Sequence, residues 1–245
     1  MSSIPQHAKI ALVTGGNKGI GLAISKSLSH KSRGYHILLG SRDIQRGDAA
    51  ASSLKREGHS VEAISLDLSV DSSIIAAVEL VSSTYGRLDV LINNAGISSD
   101  DEVDLSLRER FEKTYNVNVF GAAVVTEMFI PLLSKSAAPR VVFVSSNLGS
   151  LTLKSHLHSP MSGVAVPIYR SSKAAMNMVM LHYAHLYEKH GWKVNACHPG
   201  FTSTDLTGGR GGSVDEAAKV VVKLAVLGDD GETGTFSEIR GRLPW

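Results

Sequence analysis

Short runs of unbroken apolar residues alternate along this chain with longer stretches whose apolar positions recur every three or four residues. The first kind occupies 9–14, 35–40, 61–66, 88–93, 140–145, 193–197 and 235–239. Strands that are apolar at nearly every position, rather than every second one, belong to a sheet covered on both faces. The second kind fills the intervals, at 19–30, 44–57, 72–85, 107–133, 167–190 and 213–227. Strand and helix take turns from end to end. This predicts an α/β fold, a doubly wound sheet of about seven parallel strands with helices on both faces. No Pro/Ser-rich linker, charge block or low-complexity segment divides the 245 residues, which therefore read as a single domain.

Two segments fall outside the alternation. Residues 147–166, with His156, His158 and Pro160, are expected to be irregular, and 201–212 form a glycine-rich loop. Ser213-Val214-Asp215-Glu216 then has the form of a capping box that starts the next helix. Long loops in such folds are often lids or binding loops.

Composition excludes several functions. Lys and Arg number 25 against 23 Asp and Glu, a balance that gives no field for nucleic acid or an anionic membrane. The only cysteine is Cys197, so no intrachain disulfide can form, which suits a reducing compartment. The stretch nearest to a membrane span, 121–133, contains Glu127 and Pro131 and falls short of the roughly 20 residues required. Residues 1–8 lack the apolar core of a signal peptide. A soluble, cytoplasmic protein is expected. His156 and His158, with no acidic or Cys ligand nearby, do not make a metal site.

Thr14-Gly15-Gly16-Asn17-Lys18-Gly19-Ile20-Gly21 follows the first strand and opens the first helix. Glycines there let the backbone approach a phosphate, and a helix N-terminus supplies free N–H groups and partial positive charge. The spacing through Gly15, Gly19 and Gly21 is neither G-x-G-x-x-G nor a P-loop. The end of the second strand reads Ser41-Arg42-Asp43. An acid is usual there when the ligand is NAD, to hold the ribose 2′-OH. Arg42 would instead pair with a 2′-phosphate, with Lys18 as a second cation. Asp43 comes one position late and is expected to point away or cap the following helix. NADPH is the cofactor these residues favour.

Tyr169 and Lys173 stand four apart in the predicted helix 167–190, and i and i+4 share a face. A phenol has an ordinary pKa of about 10, and a nearby cation favours its ionised form. The pair can serve as a general acid/base unit, although an ordinary helix face also carries Tyr and Lys at this spacing.

Taken together, these motifs resemble the short-chain dehydrogenase/reductase family over essentially the whole length. Thr14-Gly15-x-x-x-Gly19-x-Gly21, Asp67, Asn93-Asn94-Ala95-Gly96, Asn118, Ser146, Tyr169-x-x-x-Lys173 and Pro199-Gly200 occur in family order. Asn17-Lys18 with Ser41-Arg42 looks most like its NADPH-dependent carbonyl-reductase branch. The resemblance implies a Rossmann-type fold with Asn17, Lys18 and Ile20 among the cofactor residues of the glycine turn. It places Asp67 and Leu68 at the adenine end and Asn94, Ala95 and Gly96 along the cofactor. Pro199, Gly200 and Thr202 would lie against the nicotinamide.

The resemblance also implies the chemistry. Ser146, rather than Ser145, would hydrogen-bond a carbonyl oxygen, Tyr169 would protonate it, and Lys173 would hold the nicotinamide ribose and lower the Tyr169 pKa. Asn118 would bind a water in a proton relay, with Asn116 as the competing assignment. The expected activity is reduction of a ketone or aldehyde on a moderately apolar molecule. Its substrate would be lined by 98–102, 148–166 and 201–210. An alcohol dehydrogenase working oxidatively and a catalytically silent dinucleotide sensor are the alternatives. Ser146 and Tyr169 are 23 positions apart, longer than in compact members, and this leaves monomer or homo-oligomer open.

Overall fold

The computed structural model describes residues 8–156 and 163–245. Seven strands follow the apolar runs: β1 (Lys9–Thr14), β2 (Tyr35–Ser41), β3 (Val61–Ser65), β4 (Val90–Asn93), β5 (Arg140–Val144), β6 (Lys193–Cys197) and β7 (Phe236–Glu238). An eighth, β8 (Gly241–Arg242), adds two antiparallel residues at one edge. The sheet order is β3-β2-β1-β4-β5-β6-β7-β8, and every pair before the last is parallel. Eight strands among the described residues, rather than about seven, is the difference from expectation. A two-residue hairpin end has too few apolar positions to show as a run.

The helices are α1 (Gly19–Leu28), α2 (Ile44–Arg56), α3 (Asp71–Tyr85), α4 (Leu107–Tyr115), α5 (Ala122–Leu133), α6 (Leu151–Ser155), α7 (Pro167–Tyr187) and α8 (Val214–Ala225). Each strand sends alternate side chains to opposite faces. Ile10 and Leu12 of β1 join a core with α3, α5 and α7, through Ile74, Phe129 and Met180. Ala11 and Val13 join the opposite core with α1, α2 and α8, through Ile24, Leu54 and Val221. The continuous apolar strands exist because both faces are covered.

Several boundaries differ from the expected ones for local reasons. α1 stops at Leu28, where the Ser29 hydroxyl donates to the Ser25 carbonyl at 2.6 Å. Thr235 leaves β7 because its N–H and hydroxyl both donate to Asn195 Oδ1, at 3.0 and 2.9 Å. The segment 147–166 is not wholly irregular: α6 forms within it, its first turn capped by Ser150 accepting from Leu153 N–H at 3.0 Å. His158 and Pro160 lie outside the described residues. Ser213 does cap α8, accepting from Asp215 N–H, but Glu216 pairs with Lys219 instead of closing the box. The reciprocal box forms at α4, between Ser106 and Glu109.

The expected long helix 107–133 is α4 and α5 joined by a π-helical turn, Asn116–Gly121. The span is 27 residues long and its most apolar 18-residue window has a mean hydropathy of 1.5, long and apolar enough by composition to span a membrane. Here its apolar residues Val125, Phe129, Leu132 and Leu133 are buried in the core under the sheet. Gly121 is required because a Cβ there would stand 2.3 Å from the Leu68 carbonyl oxygen.

Candidate active site

The strand order reverses between β1 and β4, and in open α/β sheets ligands bind outside the strand carboxyl ends at such a switch point. The turns leaving these two strands are stitched together. The Thr14 hydroxyl accepts the N–H groups of Asn94 and Ala95, both at 3.0 Å. Asn94 Nδ2 donates to the Thr14 and Gly15 carbonyls at 2.9 and 3.3 Å. Gly15 and Gly19 have φ of 63° and 54°. A Cβ on Gly21 would lie 2.3 Å from the Gly15 carbonyl oxygen, so α1 begins hard against the turn. Lys18, the N-cap of α1, makes no side-chain cap. Asn17 and Ile20 are half-buried on the same turn. A turn that admits no side chain and a helix start without a side-chain cap fit a phosphate group.

Cations stand beside this turn. Arg42, at the end of β2, is exposed and makes no hydrogen bond or ion pair among the described residues. Its neighbours are otherwise engaged. The buried Ser41 hydroxyl donates to the Asp43 carbonyl at 2.6 Å, and Asp43 caps α2 through Arg46 N–H at 3.1 Å. Lys18 Nζ pairs with Asp205 Oδ2, which belongs to the loop after β6.

The remaining expected contacts are arranged around the same edge. Asp67 Oδ1 accepts the N–H and hydroxyl of Ser69, at 2.9 and 2.6 Å, and Leu68 is buried against Gly121. Gly200, after Pro199, has φ of 89°, and the buried Thr202 hydroxyl donates back to the Gly200 carbonyl at 3.0 Å. Thr202 is thus turned into its own loop rather than held outward.

Tyr169 and Lys173 lie on α7, which crosses the end of β5. The Tyr169 phenol lies close enough to the Ser146 hydroxyl for that hydroxyl to favour its ionised form. The Ser146 hydroxyl also accepts from Leu148 N–H at 3.2 Å, whereas Ser145 lies 3.5 Å from the Lys173 carbonyl. Lys173 is buried; its Nζ donates to the Val144 carbonyl at 2.9 Å and lies 5.6 Å from the centre of the Tyr169 ring. A Cβ on Gly96 would be 3.3 Å from Lys173 Nζ and 3.5 Å from Asn118 Oδ1, so these three groups meet.

Burial pushes the Tyr169 phenol up to about 12, and the nearby Ser146 hydroxyl only partly offsets it. Lys173 is buried as well. Burial pulls its own ammonium down to about 8, and its proton is directed at a carbonyl. Asn118, on the π-helical turn, uses both ends of its side-chain amide. Oδ1 accepts Ile97 N–H at 2.8 Å, and Nδ2 donates to the Ile97 carbonyl at 2.8 Å and the Ser172 hydroxyl at 3.0 Å. Asn116 is placed elsewhere, its Nδ2 reaching the Ser69 carbonyl at 3.5 Å.

The sequence reading missed several participants. Ser172 links Asn118 to the Tyr169 carbonyl, to which its hydroxyl donates at 2.8 Å. Asp205 engages Lys18. Asp100 accepts the Ile168 and Tyr169 N–H groups at 3.0 and 2.9 Å. Of these only Ser172, beside Lys173 in the chain, carried a local signal. The others act over 187 and 68–69 positions.

A glycine turn at the switch point of a doubly wound sheet, with a Ser, Tyr and Lys gathered beside it, defines a dinucleotide-binding oxidoreductase. The pattern described as short chain dehydrogenase matches residues 9–212. The chain belongs to the short-chain dehydrogenase/reductase family, whose members use a nicotinamide dinucleotide. It is 38% identical to the short-chain dehydrogenase/reductase ATR10 of Stachybotrys chlorohalonatus, covering 98% of this chain and 95% of that one. Salutaridine reductase from Papaver somniferum superimposes with a TM-score of 0.81 at 28% identity, covering 94% of this chain and 99% of that one. An NADPH-bound carbonyl reductase from chicken fatty liver gives 0.81 at 27%, covering 97% and 99%.

Proposed function

We propose that this protein is an NADPH-dependent reductase that converts a ketone or aldehyde to an alcohol, with Tyr169 as proton donor. The observation that carries the reading is the joining of Ser146, Tyr169 and Lys173 at the cofactor edge of the sheet. Salutaridine reductase and the NADPH-bound carbonyl reductase, similar in fold, lend support.

The residues fit the cofactor. The turn around Gly15, Gly19 and Gly21 would hold its pyrophosphate, and Arg42 with Lys18 its 2′-phosphate. Arg42 has no other partner to give up among the described residues. Lys173 would hold the nicotinamide ribose, beside the turn of Asn94, Ala95 and Gly96.

When bound, the nicotinamide supplies the hydride. Ser146 then holds the substrate oxygen by donating its hydroxyl. Tyr169 gives its phenolic proton to that oxygen as negative charge grows there. At neutral pH the phenol holds its proton until that charge develops. Lys173, as an ammonium, stabilises the phenolate left behind.

The substrate carries an apolar body. Val103, Leu151 and Phe201, 84%, 72% and 64% exposed, sit on the three segments that follow β4, β5 and β6. Large apolar side chains left in water beside a polar centre mark a ligand surface.

The test is NADPH consumption against a panel of ketones, aldehydes and quinones, with Tyr169→Phe alongside. Loss of about 10²–10⁴ in kcat with NADPH binding retained is expected of Tyr169→Phe. Near-full activity in that variant, or silence of the wild type across the panel despite NADPH binding, would refute the reading.

A further inference from the structure

We propose that Asp100 is a positioning residue for Tyr169, one that ties the general acid to the cofactor turn through the first turn of α7. The inference rests on the role given to Tyr169 above.

A helix begins with backbone N–H groups that no carbonyl of its own can reach. In α7 the N-cap is Val166, which offers no side-chain cap, and Pro167 has no N–H. Arg170 N–H closes on the Val166 carbonyl at 3.0 Å. This leaves the N–H groups of Ile168 and Tyr169. Both are taken by one carboxylate from far away in sequence: Asp100 Oδ1 accepts from Ile168 at 3.0 Å and Oδ2 from Tyr169 at 2.9 Å. The bond to Tyr169 falls on the backbone of the very residue that donates the proton.

Asp100 is itself held. Its Oδ2 accepts the Ser98 hydroxyl at 2.9 Å, and its carbonyl accepts from Arg110 Nη1 of α4 at 2.9 Å. Ser99, next to it, donates to the Arg110 carbonyl at 2.6 Å. The segment that carries Asp100 continues directly from Asn94, Ala95 and Gly96. A single rigid link therefore runs from the cofactor turn, through Asp100, to the Tyr169 backbone. A bidentate, charge-assisted contact fixes both distance and angle. Reaction rate is steep in exactly these coordinates, because a misplacement of about 1 Å can cost about 10²-fold.

A role in folding alone would give a different set of rates. Asp100→Ala should lower kcat for carbonyl reduction by about ten- to a hundredfold while NADPH affinity stays within about twofold. Asp100→Asn, which keeps one acceptor oxygen, should fall between and serves if the alanine variant does not fold. Ser106→Ala removes a comparable cap, that of α4, and should leave kcat unchanged within about twofold. In a Tyr169→Phe background Asp100→Ala should cost less than about twofold, since residues acting as one unit are not additive. Equal losses with and without the Tyr169 hydroxyl, or an equal loss from Ser106→Ala, would overturn the inference. If Tyr169→Phe alone kept full activity, the proposed function would fail first, and the two failures are distinct.

Discussion

Lys18 and Asp205 close across the glycine turn, Nζ to Oδ2 at 2.5 Å, from positions 187 apart in the chain. Both side chains are exposed, and such pairs are held weakly in water. The loop that carries Asp205 is internally firm. The Thr207 hydroxyl contacts the carbonyls of Thr202 and Arg210, at 2.8 and 2.7 Å, and Ser203 donates to the Gly209 carbonyl at 2.7 Å. If Lys18 serves the 2′-phosphate, Asp205 competes with that phosphate for the same ammonium. Asp205→Asn is then expected to tighten NADPH binding by about two- to fivefold, with less effect on NADH and none at high salt. Fluorescence titration with both cofactors would show this, and weaker NADPH binding in the variant would count against the competition.

Arg42 offers the cleaner test of the phosphate. Its guanidinium is exposed with no partner among the described residues, so replacing it leaves no orphaned group behind. Arg42→Ala should weaken NADPH by about tenfold or more and leave NADH nearly unchanged. Equal affinity of the wild type for the two cofactors would remove the assignment.

Burial of Lys173 has a signature in pH. In the folded protein its ammonium is pulled down from 10.5 to about 8. Between those values the unfolded chain holds the extra proton, so stability from this residue rises with pH across the window from about 8 to 10.5. Tyr169 runs the other way. Its pKa is pushed from 10 to about 12, so its contribution is complete below pH 10 and is lost as pH climbs to 12. Lys173→Met should therefore stabilise the cofactor-free fold at pH 7 by a few kcal/mol, order ~3. Denaturant unfolding at pH 7 and pH 10 would measure it. An advantage that did not shrink toward pH 10 would mean the buried charge is not its source.

Gly21 tests the turn itself. A methyl group there would stand 2.3 Å from the Gly15 carbonyl oxygen and 2.6 Å from Asn94 Nδ2. Gly21→Ala should cost about 1–3 kcal/mol of stability, as overpacking does, and lower cofactor affinity because Gly15 must move. Unfolding and binding measured on the same sample would separate the two effects. A variant of wild-type stability and affinity would show that the turn yields freely.

The parts of this protein legible in its sequence are those written locally. β1 to β6 stand out because burial on both faces makes each a continuous apolar run, and α7 because Pro167 and its periodic apolar positions mark it. The glycine turn and the Tyr169–Lys173 spacing are equally local. What escaped depends on distance in the chain. Asp100 has no motif; its meaning lies in two N–H groups 68 and 69 positions away. The Lys18–Asp205 pair is of the same kind. α6 was missed because five residues are too few to show a helical period. The opposite pH shifts of Tyr169 and Lys173 follow from burial depth, which spacing along a helix does not report.

The π-helical turn at Asn116–Gly121 amounts to one residue more than an unbroken α-helix would need. Upstream of it, Thr114 binds Ser99 beside Asp100; within it, Asn118 faces Ile97 and Ser172; downstream, Phe129 and Leu132 face the core. Deleting a single residue from this segment would let the helix run straight and would turn α5 by about 100° against α4. Either Asn118 or the core residues would then point the wrong way. The extra residue sets the phase between site and core, so the segment should tolerate substitution far better than a change of length.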